Sequence, residues 1–284
     1  MNDFSFVKSK SSGKWVILAP KRAKRPDQAN GKEPPCPFEP LQGKPGYEET
    51  IFSIGQCRVV ANKFPFAPIH EIIIHSDDHH KNFDELTHSQ AEDIIKTFHQ
   101  RFVTHKERGQ VYIFHNQGKN AGESLPHPHT QLVVIPNDIE LEIPVLKLTD
   151  EEVKETACFY IFCPNTSQWP DEVWIAPKKE GRLFSEATEE ELMDLAFTLK
   201  RTHEILDLRY GHDFSFNFYI YPGNGWYLRL IPRIKILGGF EVGTNVFVNT
   251  QVPNETFAFI KEHFDNPDHE KIKLLHQADY TRSV

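Results

Sequence analysis

The feature that most constrains the fold is an internal repeat. Residues 70–102 align without a gap on residues 171–203, so that HEIII meets DEVWI. In each copy a short apolar run is followed by a polar loop and then by apolar residues spaced three and four apart, which predicts a strand followed by an amphipathic helix. Thr87 and Thr188 each have a Gln or Glu three residues later. Both threonines are therefore expected to begin a helix with a capping box.

The repeat continues after the helices. VYIFHNQ and QLVVIP in the first copy correspond to FNFYIYP and LRLIP in the second. Each half thus predicts a strand, a helix and a strand hairpin, which favours an α+β fold of duplicated units, each an antiparallel sheet with a packed helix. We place the two halves at residues 1–145 and 146–284. The spacing of Pro136 and Pro232 is five residues smaller than that of the preceding segments, so we expect five residues to be missing from the second loop.

Composition excludes several classes of protein. The chain has 284 residues with 39% hydrophobic content, enough for a substantial core, and a net charge of -8 argues against non-specific nucleic-acid binding. No run approaches the roughly 20 apolar residues of a membrane helix, and the start, MNDFSFVKSKSSGKW, lacks the apolar stretch of a signal peptide. Four cysteines without such a signal suggest reduced thiols. We expect a cytoplasmic protein.

The first hairpin loop is rich in small and polar residues. Residues 111–136 read VYIFHNQGKNAGESLPHPHTQLVVIP, and the loop includes Asn116, Gly122 and Ser124. Small residues let backbone N–H groups approach an anion, and Ser and Asn add donors. An ordinary hairpin turn is the alternative interpretation.

The strand after this loop carries His127, His129 and Gln131 at alternate positions. Residues two apart on a strand lie on the same face. An imidazole aimed at a bound phosphate can attack phosphorus and form a covalent phosphoramidate. A single histidine could be core packing, but three polar residues beside a donor-rich loop favour a site.

The chain contains fifteen histidines, and not all of them predict a function. His79 and His80 are adjacent, and a tight cluster favours metal or catalytic use. Surface positions are the preferred interpretation for His88, His99, His105 and His212.

These motifs resemble the galactose-1-phosphate uridylyltransferase family, the transferase branch of the histidine-triad superfamily. NQGKNAGESLPHPHTQ has glutamine at the third in-register position, where the hydrolase branches have histidine. Further matches are WVILAPKRAKRPDQ, CPF, NKFPF, SDDHHKNFDEL and GGFEVGTNVFVNTQVPNE, the last being closer to ADP-glucose phosphorylase-like members. The family fold is a duplicated histidine-triad unit, which agrees with the repeat.

The resemblance implies roles for residues of this sequence. His129 would be the nucleophile, Gln131 would hydrogen-bond the phosphate of the covalent intermediate, and Ser124 would contact the phosphates. Glutamine is a neutral amide and cannot act as a titrating acid, so it would hold the intermediate without helping water to remove it. The other residues implied in substrate or nucleotide binding are Arg22, Arg25, Asn62, Lys63, Asn116, Gly122 and Gln251.

The resemblance also implies a structural Zn²⁺ site and no organic cofactor. Its ligands would be Cys36, Glu39, His79 and His127, with Glu39 in place of a second cysteine and His80 as a spare ligand. A carboxylate is an accepted zinc ligand. The second metal site of the family is expected to be absent, since Tyr227 and Arg229 lie near its ligand positions, and Cys158 and Cys163 are expected in the core.

The expected activity is ping-pong nucleotidyl transfer. A nucleotide sugar would give its NMP group to His129, and a sugar phosphate or phosphate would then remove it. The family default is UDP-glucose:hexose-1-phosphate uridylyltransferase; an ADP-sugar or dinucleoside polyphosphate phosphorylase would use the same covalent step. A non-catalytic nucleotide-binding protein and a histidine-triad hydrolase are the alternatives of other classes, and Gln131 disfavours the hydrolase. A homodimer without nucleic-acid or membrane partners is expected by resemblance.

Overall fold

A ten-stranded antiparallel sheet forms the centre of the protein in this computed structural model, which describes residues 3–25, 36–38, 49–147 and 151–280. A separate hairpin is formed by β1 (Ser5–Lys8) and β2 (Trp15–Leu18). The strands of the large sheet are β3 (Thr50–Ile54), β4 (Cys57–Ala61), β5 (Ile69–Ile74), β6 (Gln110–Gln117), β7 (His129–Ile135), β8 (Lys154–Glu155), β9 (Phe159–Phe162), β10 (Val173–Pro177), β11 (Phe216–Ile220) and β12 (Leu228–Pro232).

Two long helices begin where the repeat predicts them. The helices are α1 (His88–His105), α2 (Glu189–Tyr210), α3 (Gly239–Thr244), α4 (Pro253–Phe264) and α5 (His269–Tyr280). The side chain of Thr87 accepts a hydrogen bond from the backbone N–H of Gln90, and that of Thr188 accepts one from Glu191, with both capping boxes complete. The predicted helix starts are therefore confirmed. No helix in the described ranges is long and apolar enough to cross a membrane.

The strand order reflects the repeat. The sheet runs β3-β4-β5-β7-β6-β11-β12-β10-β9-β8, so the second half follows the order of the first half in reverse, and β6 and β11 pair at the centre. The predicted α+β class with antiparallel strands is confirmed. The boundary near residue 145 stays a prediction, because one sheet continues through both halves. The second hairpin loop is shorter than the first, as expected: residues 221–227 connect β11 to β12, whereas residues 118–128 connect β6 to β7.

The main core lies between one face of the sheet and the helices α1 and α2. Leu132 and Val134 of β7 are buried there with Phe98 of α1 and Leu199 of α2. Because side chains alternate along a strand, the β7 residues between them lie on the opposite face. Both predicted core cysteines contact this core, Cys163 fully buried and Cys158 partly so.

A buried ion pair joins α1 to the sheet. Glu71 of β5 accepts hydrogen bonds from Arg101 at 2.9 Å and from His105 at 2.8 Å. Burial by itself raises the pKa of Glu71, but the hydrogen bonds from Arg101 and His105 outweigh burial and lower it. The predicted surface position of His105 is therefore wrong, because its last-turn position on α1 faces the sheet.

The remaining surface predictions have mixed outcomes. His88 is exposed, and the half-buried His99 contacts the carbonyl oxygen of Ser185 at 3.1 Å. The surface prediction is wrong for His212, whose side chain is only 5% exposed and lies among carboxylates just beyond the end of α2. The sequence could not show that α5 packs beside this position.

Candidate active site

A cavity of about 300 Å³ lies on the sheet face opposite α1 and α2. Its walls come from β4, β5, β7, the 3₁₀ turn Pro20–Lys24, residues 37–38 and the hairpin loop. The structure brings seven of the predicted catalytic and binding residues to its lining: Arg22, Arg25, Asn62, Lys63, Ser124, His129 and Gln131. Three predicted binding residues, Asn116, Gly122 and Gln251, are outside this lining.

His129 is the first residue of β7, and its hydrogen bond defines which ring nitrogen carries the proton. Its Nδ1–H donates to the carbonyl oxygen of His127 at 2.8 Å. A carbonyl can only accept, so the lone pair is on Nε2. Burial, opposed in part by this hydrogen bond, lowers the pKa of His129 to about 4, and its ring packs 5.3 Å from the ring of Phe38. The neutral imidazole is therefore held in one orientation at the cavity wall.

Gln131 is oriented by His70, which lies on the neighbouring strand β5. The Oε1 atom of Gln131 lies 3.0 Å from Nε2 of His70. Nδ1 of His70 accepts from the backbone N–H of Phe66 at 3.4 Å, so Nε2 carries the proton and donates to Gln131. Burial lowers the pKa of His70 to about 4, which is consistent with this neutral form. The amide oxygen of Gln131 is thus engaged, and its NH₂ group remains as the donor for a ligand.

The basic side of the cavity is built around the NKFPF turn. Asn62 accepts the backbone N–H of Phe64 at 2.8 Å, and Arg22 donates to the carbonyl oxygen of Phe64 at 2.6 Å. The guanidinium of Arg22 also lies 4.9 Å from the ring of Phe66. Burial, and then the nearby charge of Arg25, lower the pKa of Arg22 to about 10, so it stays charged at neutral pH. Arg22 and Arg25 give the cavity the positive charge that a phosphate group requires.

The hairpin loop is held from the second half of the chain. Gly118 has φ +78°, and a Cβ atom there would lie 2.9 Å from Cα of Ser215, so only glycine fits without a shift. The side-chain NH₂ of Asn217 donates to Oδ1 of Asn116 at 2.8 Å and to the carbonyl oxygen of Ala121 at 3.0 Å. Asn116 therefore supports the loop in this structure.

The loop also contains Gly122, which directly follows the 3₁₀ turn Lys119–Ala121. It has φ +80°, and the space around its Cα is open. The left-handed conformation favours glycine at this position.

Three of the four residues predicted to bind metal lie close together beside the start of β7. Cys36, His79 and His127 offer ligand atoms that all lie within 4.8 Å of one another. Nε2 of His127 donates to the carbonyl oxygen of Ser76 at 2.9 Å, and its Nδ1 faces Sγ of Cys36 at 3.6 Å. An imidazole whose second nitrogen donates to a carbonyl is a typical metal ligand. Glu39 lies outside the described residues, and the exposed His80 packs with its ring 4.8 Å from that of His79.

The second half has a different arrangement at the related strand, β12. Nη2 of Arg229 donates to Glu172 at 2.7 Å, and the ring of Tyr227 stacks 4.4 Å from that of Trp174. Both side chains are used in buried packing. The absence of a second family-type metal site stays a prediction.

Sequence reasoning missed two residues of the site. His70 was treated only as part of a strand, although it contacts both Gln131 and Asn62. Asn217 was treated as part of the degenerate repeat. The signal in each case was a polar residue within an apolar strand, but its partner could not be found without the strand pairing.

Comparison with known proteins gives consistent matches. Residues 69–134 match the family model described as the galactose-1-phosphate uridyl transferase N-terminal domain. ADP-glucose phosphorylase of Arabidopsis thaliana is 23% identical over a match that covers 88% of this chain and 90% of that relative. Galactose-1-phosphate uridylyltransferase of Thermotoga maritima is 25% identical over a match that covers 87% of this chain and 95% of that relative.

Solved structures agree in fold. A uridylyltransferase structure matches with a TM-score of 0.76 at 22% identity, covering 92% of this chain and 99% of that one. The Arabidopsis thaliana ADP-glucose phosphorylase, solved with bound ADP-glucose, matches with a TM-score of 0.70 at 20% identity, covering 91% and 99%. The resemblance expected from the motifs is confirmed: the chain is galactose-1-phosphate uridylyltransferase-like in sequence over residues 69–134 and has that fold over most of its length.

Proposed function

We propose that this protein is a nucleotidyltransferase that moves an NMP group from a nucleotide sugar to a phosphorylated acceptor through a covalent nucleotidyl-His129. The observation that carries the proposal is the geometry of His129. Its Nδ1–H is fixed on the carbonyl oxygen of His127, and the ring lines a cavity that also contains two arginines and Gln131. A nucleophile with one nitrogen oriented and the other available is what phosphoryl transfer by histidine requires.

In the first step, the lone pair of Nε2 attacks the α-phosphorus of the donor. The bond from phosphorus to the bridging oxygen breaks, and the sugar phosphate leaves with that electron pair. In the second step, a phosphate oxygen of the acceptor attacks the same phosphorus, and the P–N bond breaks with its electrons returning to Nε2. The hydrogen bond from Nδ1 to the His127 carbonyl stabilises the positive charge that develops on the ring during the first step.

Three groups hold the transferred phosphoryl in this scheme. Arg22 and Arg25 neutralise its oxygens, and the NH₂ group of Gln131, set by His70, donates to one of them. Gln131 has no proton to give to or take from water at neutral pH. The covalent intermediate therefore persists until a phosphorylated acceptor attacks it.

Cys36, His79 and His127 are the residues that would hold a structural Zn²⁺. A thiolate with two imidazoles is a donor set that suits this ion. With the ion bound, His127 and His79 would hold the segment before β7 against the segment after β5. Because Pro128 connects His127 to His129, these ligands would fix the start of the strand that carries the nucleophile.

The nucleotide and the acceptor are proposed by analogy with the relatives. UDP-glucose and a hexose 1-phosphate, hence a role in galactose metabolism, are the family default. An ADP-sugar with phosphate as acceptor is the second candidate, because the Arabidopsis relative is an ADP-glucose phosphorylase. A dinucleoside polyphosphate would use the same covalent step. A cytoplasmic homodimer, with Gln251 contributing to nucleotide binding, completes the proposal.

Product analysis with and without an acceptor tests this function. Incubation with UDP-glucose or ADP-glucose should give little free NMP, and addition of galactose 1-phosphate or inorganic phosphate should give the transferred nucleotide. Replacement of His129 by glycine should abolish the product. Release of NMP without any acceptor would indicate a hydrolase, and donor binding without turnover would indicate a non-catalytic nucleotide-binding protein.

A further inference from the structure

A second group of metal-type side chains lies outside the proposed active site. Asp84, Asp207, His212 and His276, here called the Asp–His cluster, offer ligand atoms that all lie within 4.8 Å of one another. The four residues come from separate parts of the chain: the segment before α1, the last turn of α2, the residue after its C-cap, and α5. None of them belongs to the Cys36 group.

The distances within the Asp–His cluster fit a shared cation. Nε2 of His276 lies 2.9 Å from Asp84 and 3.2 Å from Asp207, and Nδ1 of His212 lies 3.9 Å and 3.8 Å from the same two carboxylates. Four ligands on a tetrahedral Zn²⁺ with bonds of about 2.1 Å are about 3.4 Å apart. The observed spacings scatter around this value.

The burial and the charge of the two aspartates also favour a bound cation. Asp84 is 1% exposed and Asp207 is 0% exposed. The two oxygens of Asp84 and Oδ1 of Asp207 make no hydrogen bond of regular geometry within the described residues. The nitrogen atoms near Asp84 belong to the imidazole rings of His203, His212 and His276. Two buried carboxylates repel each other unless positive charge compensates them. One divalent cation with two carboxylates and two neutral imidazoles would be electrically balanced.

The residues around the Asp–His cluster include a group that can orient Asp84 and a cavity through which a metal ion can enter. Nδ1 of the buried His203 lies 3.2 Å from Oδ1 of Asp84, where it can fix the carboxylate from behind. His212 and His276 also line a polar cavity of about 230 Å³. A metal ion can reach the cluster from this cavity.

We propose that Asp84, Asp207, His212 and His276 bind a divalent first-row transition metal, with tetrahedral Zn²⁺ as the best fit, and that this ion fastens α5 to the end of α2. All four positions are protein ligands, so the site is closed and structural. The inference does not rest on the proposed nucleotidyl transfer.

Metal content of the purified protein tests the proposal. The His276→Gln and Asp207→Asn variants remove one ligand each with little change in shape, and His269→Gln changes an exposed histidine on the same helix. Elemental mass spectrometry should find one metal per chain fewer in the first two variants than in the wild type and in His269→Gln. Equal metal content in all four proteins would overturn the proposal.

Cobalt spectroscopy keeps the proposal testable if those variants fail to fold. The Cys36→Ser protein, loaded with Co²⁺, should still show the visible bands of a tetrahedral nitrogen–oxygen site, without a thiolate-to-cobalt band. Absence of tetrahedral bands from folded Cys36→Ser protein would contradict a second site. Because covalent labelling of His129 is a separate readout, failure of this site leaves the proposed function untouched.

Discussion

The orientation of Gln131 by His70 gives a quantitative prediction. His70→Phe keeps an aromatic ring beside Phe66, whose ring lies 4.5 Å from that of His70. It removes the donor to Oε1 of Gln131, together with the weaker contacts of the His70 ring with the backbone N–H of Phe66 and with Asn62. The amide of Gln131 can then rotate, and its NH₂ group is no longer directed at the transferred phosphoryl. A hydrogen bond to a charged group contributes about 1.5–3 kcal/mol, so formation of the covalent intermediate should slow by about 10- to 150-fold.

Rapid-quench intact-mass spectrometry measures this rate. Gln131→Met should lose the same hydrogen bond, so the double variant His70→Phe/Gln131→Met should be little slower than either single variant. His70→Gln, which can place a donor near the position of Nε2, should recover much of the rate. The reasoning would be refuted if His70→Phe formed the covalent intermediate at the wild-type rate. It would also be refuted if the double variant were slowed by the product of the two single effects.

Three further predictions address stability, the loop and the metal. Glu71→Ala leaves Arg101 buried without a counter-charge, so the free energy of unfolding should fall by about 3–5 kcal/mol. Calorimetry should then show a Tm lower by about 10 °C, and an unchanged Tm would contradict the prediction. Asn217→Ala should speed amide hydrogen exchange in residues 118–124, and unchanged exchange there would show that the loop does not depend on this side chain. Cys36→Ser should bind one equivalent of metal less than wild type, whereas the matched Cys158→Ser should bind the same amount, and equal loss in both would argue against a thiolate ligand.

The sequence predicted the local structure because local rules determine it. Thr87 and Thr188 could be placed as helix caps from the residues that follow them. The alternation of His129 and Gln131 placed both on one strand face, and the structure has both on the lining of one cavity.

Long-range partners could not be predicted in the same way. His70 reaches Gln131 only because β5 pairs with β7 in a register that puts Ile72 opposite Gln131. The surface predictions for His105 and His212 were wrong for a similar reason, since their burial depends on how α1 meets the sheet and on where α5 packs. Neither the strand register nor the packing of the helices can be predicted from the residues adjacent in sequence.

Intact-protein mass spectrometry after incubation with a nucleotide sugar tests the central claim most directly. UDP-glucose, ADP-glucose and diadenosine tetraphosphate should be offered separately, with His129→Gly as the control. The account predicts an added UMP or AMP mass on the wild type that is absent from His129→Gly and is lost on addition of a phosphorylated acceptor. Folded, metal-loaded wild type that gains no nucleotide from any of the three donors, or a His129→Gly variant that is labelled as well as the wild type, would contradict it.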